Sequence, residues 1–219
     1  MNTIAEIVRL LNTLNGDLLV NALETVADHP DLSPDTESAV ALAFAIAGLT
    51  WRGVGWVNSA RAKRGWASFE DASVMATQFA DDNRCVDALT YLRLGRRLPV
   101  ADVRLLPYCL AIRLQVITAA ATKADIPVFD PDTMRIMSVE EVRDSAWAEM
   151  LPEIEWVMTT IRGTGEAPAV ARLVFATSQK CLALHAACAQ SLALLALALD
   201  PSVEAAATTE RVAESKLAE

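Results

Sequence analysis

The chain has 219 residues, 53% of them hydrophobic and 21% charged, and its 19 Lys and Arg against 28 Asp and Glu leave a net charge of −9. This length and composition suit one globular domain with appended arms, and they exclude disorder, collagen-like repetition and a disulfide-stapled scaffold. A surface acidic overall also excludes a uniformly basic nucleic-acid binder.

Helical periodicity runs through nearly every long segment. Ile4, Ile7, Val8, Leu11 and Leu14 mark one face of a first helix, closed by Gly16. A second carries Leu18, Leu19, Ala22, Leu23 and Val26 until His29-Pro30-Asp31-Leu32 breaks it, with His29 solvated in the loop. Ser33 followed by Pro34 reads as an N-cap with proline in the first turn, launching the apolar run Ala39 to Leu49. That run is apolar on all sides, which predicts a central helix.

Ser68 with Asp71 starts a helix through Phe79, and Asp82 or Asn83 starts the next, which Gly95 ends. The cluster Asp81-Asp82-Asn83-Arg84-Cys85-Val86-Asp87 lacks magnesium-motif spacing and reads as helix-terminal acids. Pro107 opens or kinks a long helix reaching Lys123, and Asp125 to Asp132 is a proline-bearing loop. Ser138 with Glu141 is a capping box for the following helix. Gly163-Thr164-Gly165-Glu166 then separates it from a last long helix. No segment alternates like a strand. The expected fold is all-α, a two-lobed body of about eight helices, divided into an N-terminal arm or helix at 1–15, lobes at 16–124 and 125–199, and an arm at 200–219.

The charge is segregated along the chain. Between 51 and 113 ten cations face six acids, a net of +4, while the remainder carries nine cations and 22 acids, a net of −13. At the head of the basic part, Trp51-Arg52-Gly53-Val54-Gly55-Trp56-Val57-Asn58-Ser59-Ala60-Arg61-Ala62-Lys63-Arg64-Gly65-Trp66 holds three of the five tryptophans and no acid. Arg52, Arg61, Lys63 and Arg64 could neutralise phosphates while Trp51, Trp56 and Trp66 stack bases, with Arg96 and Arg97 adding a second cationic corner. The competing reading buries the tryptophans at a core edge and pairs the cations with acids on neighbouring helices or subunits.

On the last helix Ser178, Cys181, His185 and Cys188 share one stripe, spaced to offer zinc or copper three soft ligands. The stripe continues through Leu192, Leu195 and Leu199, so a heptad-like core seam with a hydrogen-bonded core histidine is the expectation preferred over a metal site. The stretch from Cys181 to Leu199 is 19 residues without a charge. Its alanines, His185, Gln190 and Ser191 favour a buried or subunit-covered helix over a membrane span. Cys85, Cys109, Cys181 and Cys188 have neither zinc-module nor secreted-scaffold spacing, and the N-terminus reads as no signal peptide. Reduced thiols, a cytoplasmic location and no membrane partner are expected. Phosphate-loop, zinc-protease and nucleophile-elbow motifs are absent from the sequence, and the expected function is non-enzymatic with no cofactor.

Residues 16–52, from Gly16-Asp17-Leu18-Leu19 through Ala41 to Arg52, resemble a segment of the all-helical nucleoproteins of phlebovirus-like and tenuivirus-like RNA viruses: helix, loop, then an apolar helix running into an arginine-bearing loop. Val86-Asp87-Ala88-Leu89, the helix from Pro107, and Ile126-Pro127-Val128 follow a similar order. The resemblance, which extends to flexible filamentous virus coats, implies a two-lobed body clamping single-stranded RNA in a basic cleft. Arg52, Arg61, Lys63 and Arg64 would touch phosphates, and the terminal arms would bind neighbouring subunits in a homo-oligomer. An α-helical adaptor or structural subunit working through protein contacts is the alternative.

Overall fold

The computed structural model describes residues 3–130 and 133–203. The N-terminal helices α1 (Thr3–Thr13) and α2 (Gly16–Ala27) lay Ile7, Leu10, Leu19 and Leu23 into the core. Ser33 Oγ accepts the Thr36 N–H at 3.2 Å and Pro34 fills the first turn, so α3 (Pro34–Ile46) starts at a satisfied end. Its run Thr36–Ala45 is buried on every side, as an apolar helix without a polar face must be. Helix α4 (Thr50–Arg64) packs along α3 and stops where Gly65 takes φ +83°, a conformation glycine adopts without a Cβ penalty.

The Ser68 and Asp71 capping box opens α5 (Phe69–Asp81), which lies on α3, and α6 (Cys85–Gly95) folds back along it. A 3-10 turn at Val103–Leu105 leads into α7 (Leu106–Lys123), which contacts helices on both sides of it in the chain. Strands β1 (Val128–Asp130) and β2 (Arg135–Met137) pair antiparallel, with Phe129 opposite Ile136. The second capping box, Ser138 with Glu141, opens α8 (Val139–Thr160), and α9 (Ala167–Cys181) and α10 (Ala186–Leu199) form an antiparallel hairpin. The fold is therefore all-α, with one short hairpin among the described residues.

Five local expectations change. Among the described residues there are ten α-helices rather than about eight. The loop expected at 125–132 contains β1, because three-residue strands are too short to show alternation. Trp51 and Arg52 lie in α4, not in a loop. The start expected at Asp82 or Asn83 falls at Arg84, since Asn83 takes φ +58° and turns the chain. The last long helix is two helices, broken at Leu182 to His185. Most of the expected C-terminal arm, residues 204–219, lies outside the described residues. The first fifteen residues, expected as an N-terminal arm or helix, include α1, whose Ile7 and Leu10 are packed in the core.

The segment Val103–Lys123 is apolar and long enough to cross a membrane, yet 67% of its most apolar window is buried within the protein. Its centre carries Arg113, fully buried. The Arg113 guanidinium donates to Glu153 twice, Nε to Oε2 at 2.7 Å and Nη2 to Oε1 at 2.8 Å, and to the Leu92 carbonyl at 2.6 Å. It also lies 4.3 Å from the centre of the Phe69 ring, which stacks on Trp156. Arg96 donates to both Glu153 and Glu149, and Arg93 reaches Glu149 at 2.6 Å. Three arginines and two glutamates thus join α6, α7 and α8, and the geometry is the bidentate kind that compensates desolvation best.

Glu70 is a buried carboxylate of another kind. It accepts the backbone N–H groups of Ala101, at 3.0 and 3.1 Å, and Asp102, at 3.2 Å, and among the described residues no cation is paired to it. Burial pushes its carboxyl above the ordinary 4.5, and the two backbone donors offset only part of that rise. The folded state therefore holds this proton more tightly than the unfolded state. Its stabilising effect is complete below pH 4.5 and is lost as pH rises through the elevated folded value. The urea midpoint of Glu70→Gln is expected to gain on that of the wild type between acid and neutral pH. A gap that stays constant or moves the other way would contradict this assignment.

Candidate interaction surface

Helix α4 carries most of the basic segment, and its outward row contains Trp51, Gly55, Asn58, Arg61 and Ala62, followed by Trp66 just beyond its end. Trp51, in the first turn of α4, is 67% exposed, and Trp66, beyond its C-terminal end, is 45% exposed. Trp56 is only half-exposed and packs on the core, so two of the three tryptophans are exposed. Their rings already have neighbours. The Arg64 guanidinium sits 4.5 Å from the Trp66 ring centre, and that of Arg52 sits 5.6 Å from Trp51.

The cations are extensively paired from below. Arg52 reaches Glu24 at 2.7 Å and Lys63 reaches Glu37 at 2.7 Å. Arg64, nearly buried, joins Asp35 at 2.9 Å and Asp71 at 3.0 Å, and Asp71 also accepts from Ser38 at 2.7 Å. Arg96 is held by Glu149 and Glu153. Counted over 51–113, eight of ten cations have a carboxylate, and among the described residues Arg61 and Arg97 form no ion pair. Five of those carboxylates, Glu24, Asp35, Glu37, Glu149 and Glu153, come from outside the segment and more than offset its excess of +4. The shallow groove beside Trp51, of about 450 Å³, has Glu24 and Asp28 in its wall with Arg52, so its own charge does not draw phosphate. What α4 offers is a nearly neutral aromatic face with Arg61 and the half-exposed Lys63 head at its C-terminal end.

Two surfaces that sequence reasoning missed are apolar. The β1–β2 hairpin and the residue leading into it show Ile126, Phe129, Met134 and Ile136 at 64%, 53%, 76% and 69% exposure. Phe129 and Ile136 are directly opposed, so both side chains stand on one face of the ribbon. On the α8 and α10 side, Met158, Ile161, Leu195 and Leu199 line a groove of about 520 Å³ with Glu155 and Arg162 also in its wall. The Val-Phe-Asp and Arg-Ile-Met runs are visible in the sequence; that they pair into an exposed ribbon is not.

Cys181, His185 and Cys188 do not share a helical stripe, because the chain turns between α9 and α10. His185 is exposed rather than in the core: it caps α10 by accepting the Cys188 N–H on Nδ1 at 3.1 Å, and its ring lies 5.2 Å from Trp147. Among the described residues no cluster of His, Cys, Asp and Glu is arranged to hold a metal ion. His29 is exposed in its loop with Nδ1 3.0 Å from the Pro30 carbonyl. Compared with protein-family models, curated proteins and solved structures, the chain matches none.

Proposed function

We propose that the chain is a non-enzymatic α-helical structural subunit that works through protein–protein contacts, including contacts with its own copies. The supporting observation is the hairpin and the residue leading into it, where Ile126, Phe129, Met134 and Ile136 are all more than half exposed. Large apolar side chains grouped in this way mark an association site, whereas single exposed ones need no explanation. Light scattering on the purified chain is expected to report an oligomer, and Phe129→Ser with Ile136→Ser to shift it toward monomer. A wild type that is monomeric at all concentrations would refute the self-association.

A second reading is favoured by the acid-free face of α4. On it, the subunit holds single-stranded RNA between Trp51 and Trp66 as a nucleocapsid or coat subunit does, each stacked base contributing about 1–3 kcal/mol. Purified protein would then carry nucleic acid, seen as a raised 260/280 nm absorbance ratio. Because Arg61 and Lys63 are the cations available on that face, the affinity should fall with salt only shallowly. A log–log slope of about −1.4 is expected for two phosphates. Trp51→Ala with Trp66→Ala should weaken binding of a single-stranded oligonucleotide at least tenfold. Unchanged binding would exclude this face as the site.

A further inference from the structure

The hairpin and the α8–α10 groove stand at opposite ends of one helix. The hairpin runs into the N-terminal end of α8, whereas Glu155, Met158, Ile161 and Arg162 of the groove lie in its last two turns or just beyond them. Over 22 residues α8 is about 33 Å long, and a three-residue strand spans about 10 Å, so a copy's own hairpin falls short of its own groove. No hairpin residue lines it. The groove, of about 520 Å³, has an apolar floor of Met158, Ile161, Leu195 and Leu199 packed on the core. Its two charged wall residues, Glu155 and Arg162, are exposed, and among the described residues neither forms an ion pair.

We propose that the hairpin of one copy seats in the α8–α10 groove of a second copy, with Phe129 and Ile136 entering it side by side. This rests on the self-association proposed above and names its receiving surface. Charge selects the groove over a second hairpin. From 125 to 141 the chain carries Asp125, Asp130, Asp132, Glu140 and Glu141 against Arg135 alone, a net of −4, and Arg135 is itself paired with Glu141 at 2.6 Å. Two hairpins packed face to face would bring like charges together, which suppresses that pairing. The groove balances one acid with one cation, and Arg162 gives the acidic hairpin a counterion at the rim. Aromatic and aliphatic anchors on an apolar floor, with the charges kept to the edge, are the usual anatomy of a protein interface.

Complementation between two full-length variants tests this, each altered only at exposed residues. Phe129→Ser with Ile136→Ser removes the hairpin anchors and keeps the groove. Thr159→Glu with Arg162→Glu keeps the hairpin and makes the groove wall acidic beside Glu155. At a concentration where the wild type is associated, each variant alone is expected to scatter light as a monomer, its association weakened at least tenfold. An equimolar mixture should give a one-to-one dimer, because the intact hairpin of one variant meets the intact groove of the other. A groove variant that associates as strongly as the wild type, or a mixture that stays monomeric, would overturn the groove as receptor and leave self-association standing. A monomeric wild type would instead refute self-association itself. If a variant fails to fold, methionine oxidation of the wild type decides. Met134 is 76% exposed and Met158 lines the groove, while the fully buried Met150 is an internal control. Raising the protein concentration should slow peroxide oxidation of Met134 and Met158 together. Protection of Met134 without Met158 would mean that the hairpin docks elsewhere.

Discussion

Glu153→Ala is expected to destabilise the protein by about 3–5 kcal/mol, read as a fall in the urea midpoint at unchanged slope. The carboxylate is fully buried and accepts both arms of the equally buried Arg113 as well as one from Arg96. Truncating it removes the counterion and leaves the Arg113 charge enclosed, with only the Leu92 carbonyl, the Ser73 hydroxyl and the Phe69 face around it. Domains of this size are stable by about 5–15 kcal/mol, so one such loss is a large share of the total. Glu153→Gln keeps one acceptor and should cost less. Arg113→Met with Glu153→Leu should recover much of the alanine loss, since an apolar pair needs no counterion. A midpoint in Glu153→Ala equal to the wild type would mean that the pair contributes nothing.

Opposite signs are expected from one substitution at two glycines in α4. Gly53 lies against α3, and a Cβ there would stand 2.6 Å from the Ala41 carbonyl oxygen and 3.2 Å from Val74 Cγ1. The obstruction is backbone, so α3 and α4 would have to separate along one of the most extensive helix contacts in the protein. Gly53→Ala should therefore cost about 1–3 kcal/mol despite the better helix propensity of alanine. Two residues on, Gly55 faces open space, and Gly55→Ala should stabilise by about 0.5–1 kcal/mol. Thermal unfolding of the two variants side by side tests the packing directly. A stabilising Gly53→Ala would show that the close approach of α3 to α4 is not as described.

Helix starts were readable because their chemistry is local. Ser33 with Pro34, Ser68 with Asp71, and Ser138 with Glu141 each satisfy orphan N–H groups within four residues of chain, and each opens a helix where expected. The break between α9 and α10 was not readable. Leu182-Ala183-Leu184 are helix formers with no glycine or proline, and the reversal depends on α10 packing back along α9 and on the His185 cap. The candidate surface divides in the same way. The row of Trp51, Arg61 and Trp66 follows from helical spacing once α4 is known. The charge on it does not, because Arg52 and Lys63 find carboxylates 28 and 26 residues away, on α2 and α3. Formal charge summed along a sequence takes no account of such pairing.

The pairing between α7 and α8 also sets an order of events during synthesis. Arg113 leaves the ribosome 40 residues ahead of Glu153, and Arg96 precedes it by 57. At about 5–20 residues per second, the first half of the chain waits some 2–8 s with its central cation unmatched. Through that interval α5, α6 and α7 cannot close over Arg113 without trapping a bare charge, so the nascent chain stays open until α8 emerges. A chain stalled with α8 still inside the ribosome should hold an N-terminal half that remains sensitive to protease, and emergence of α8 with Glu153 is expected to make it resistant.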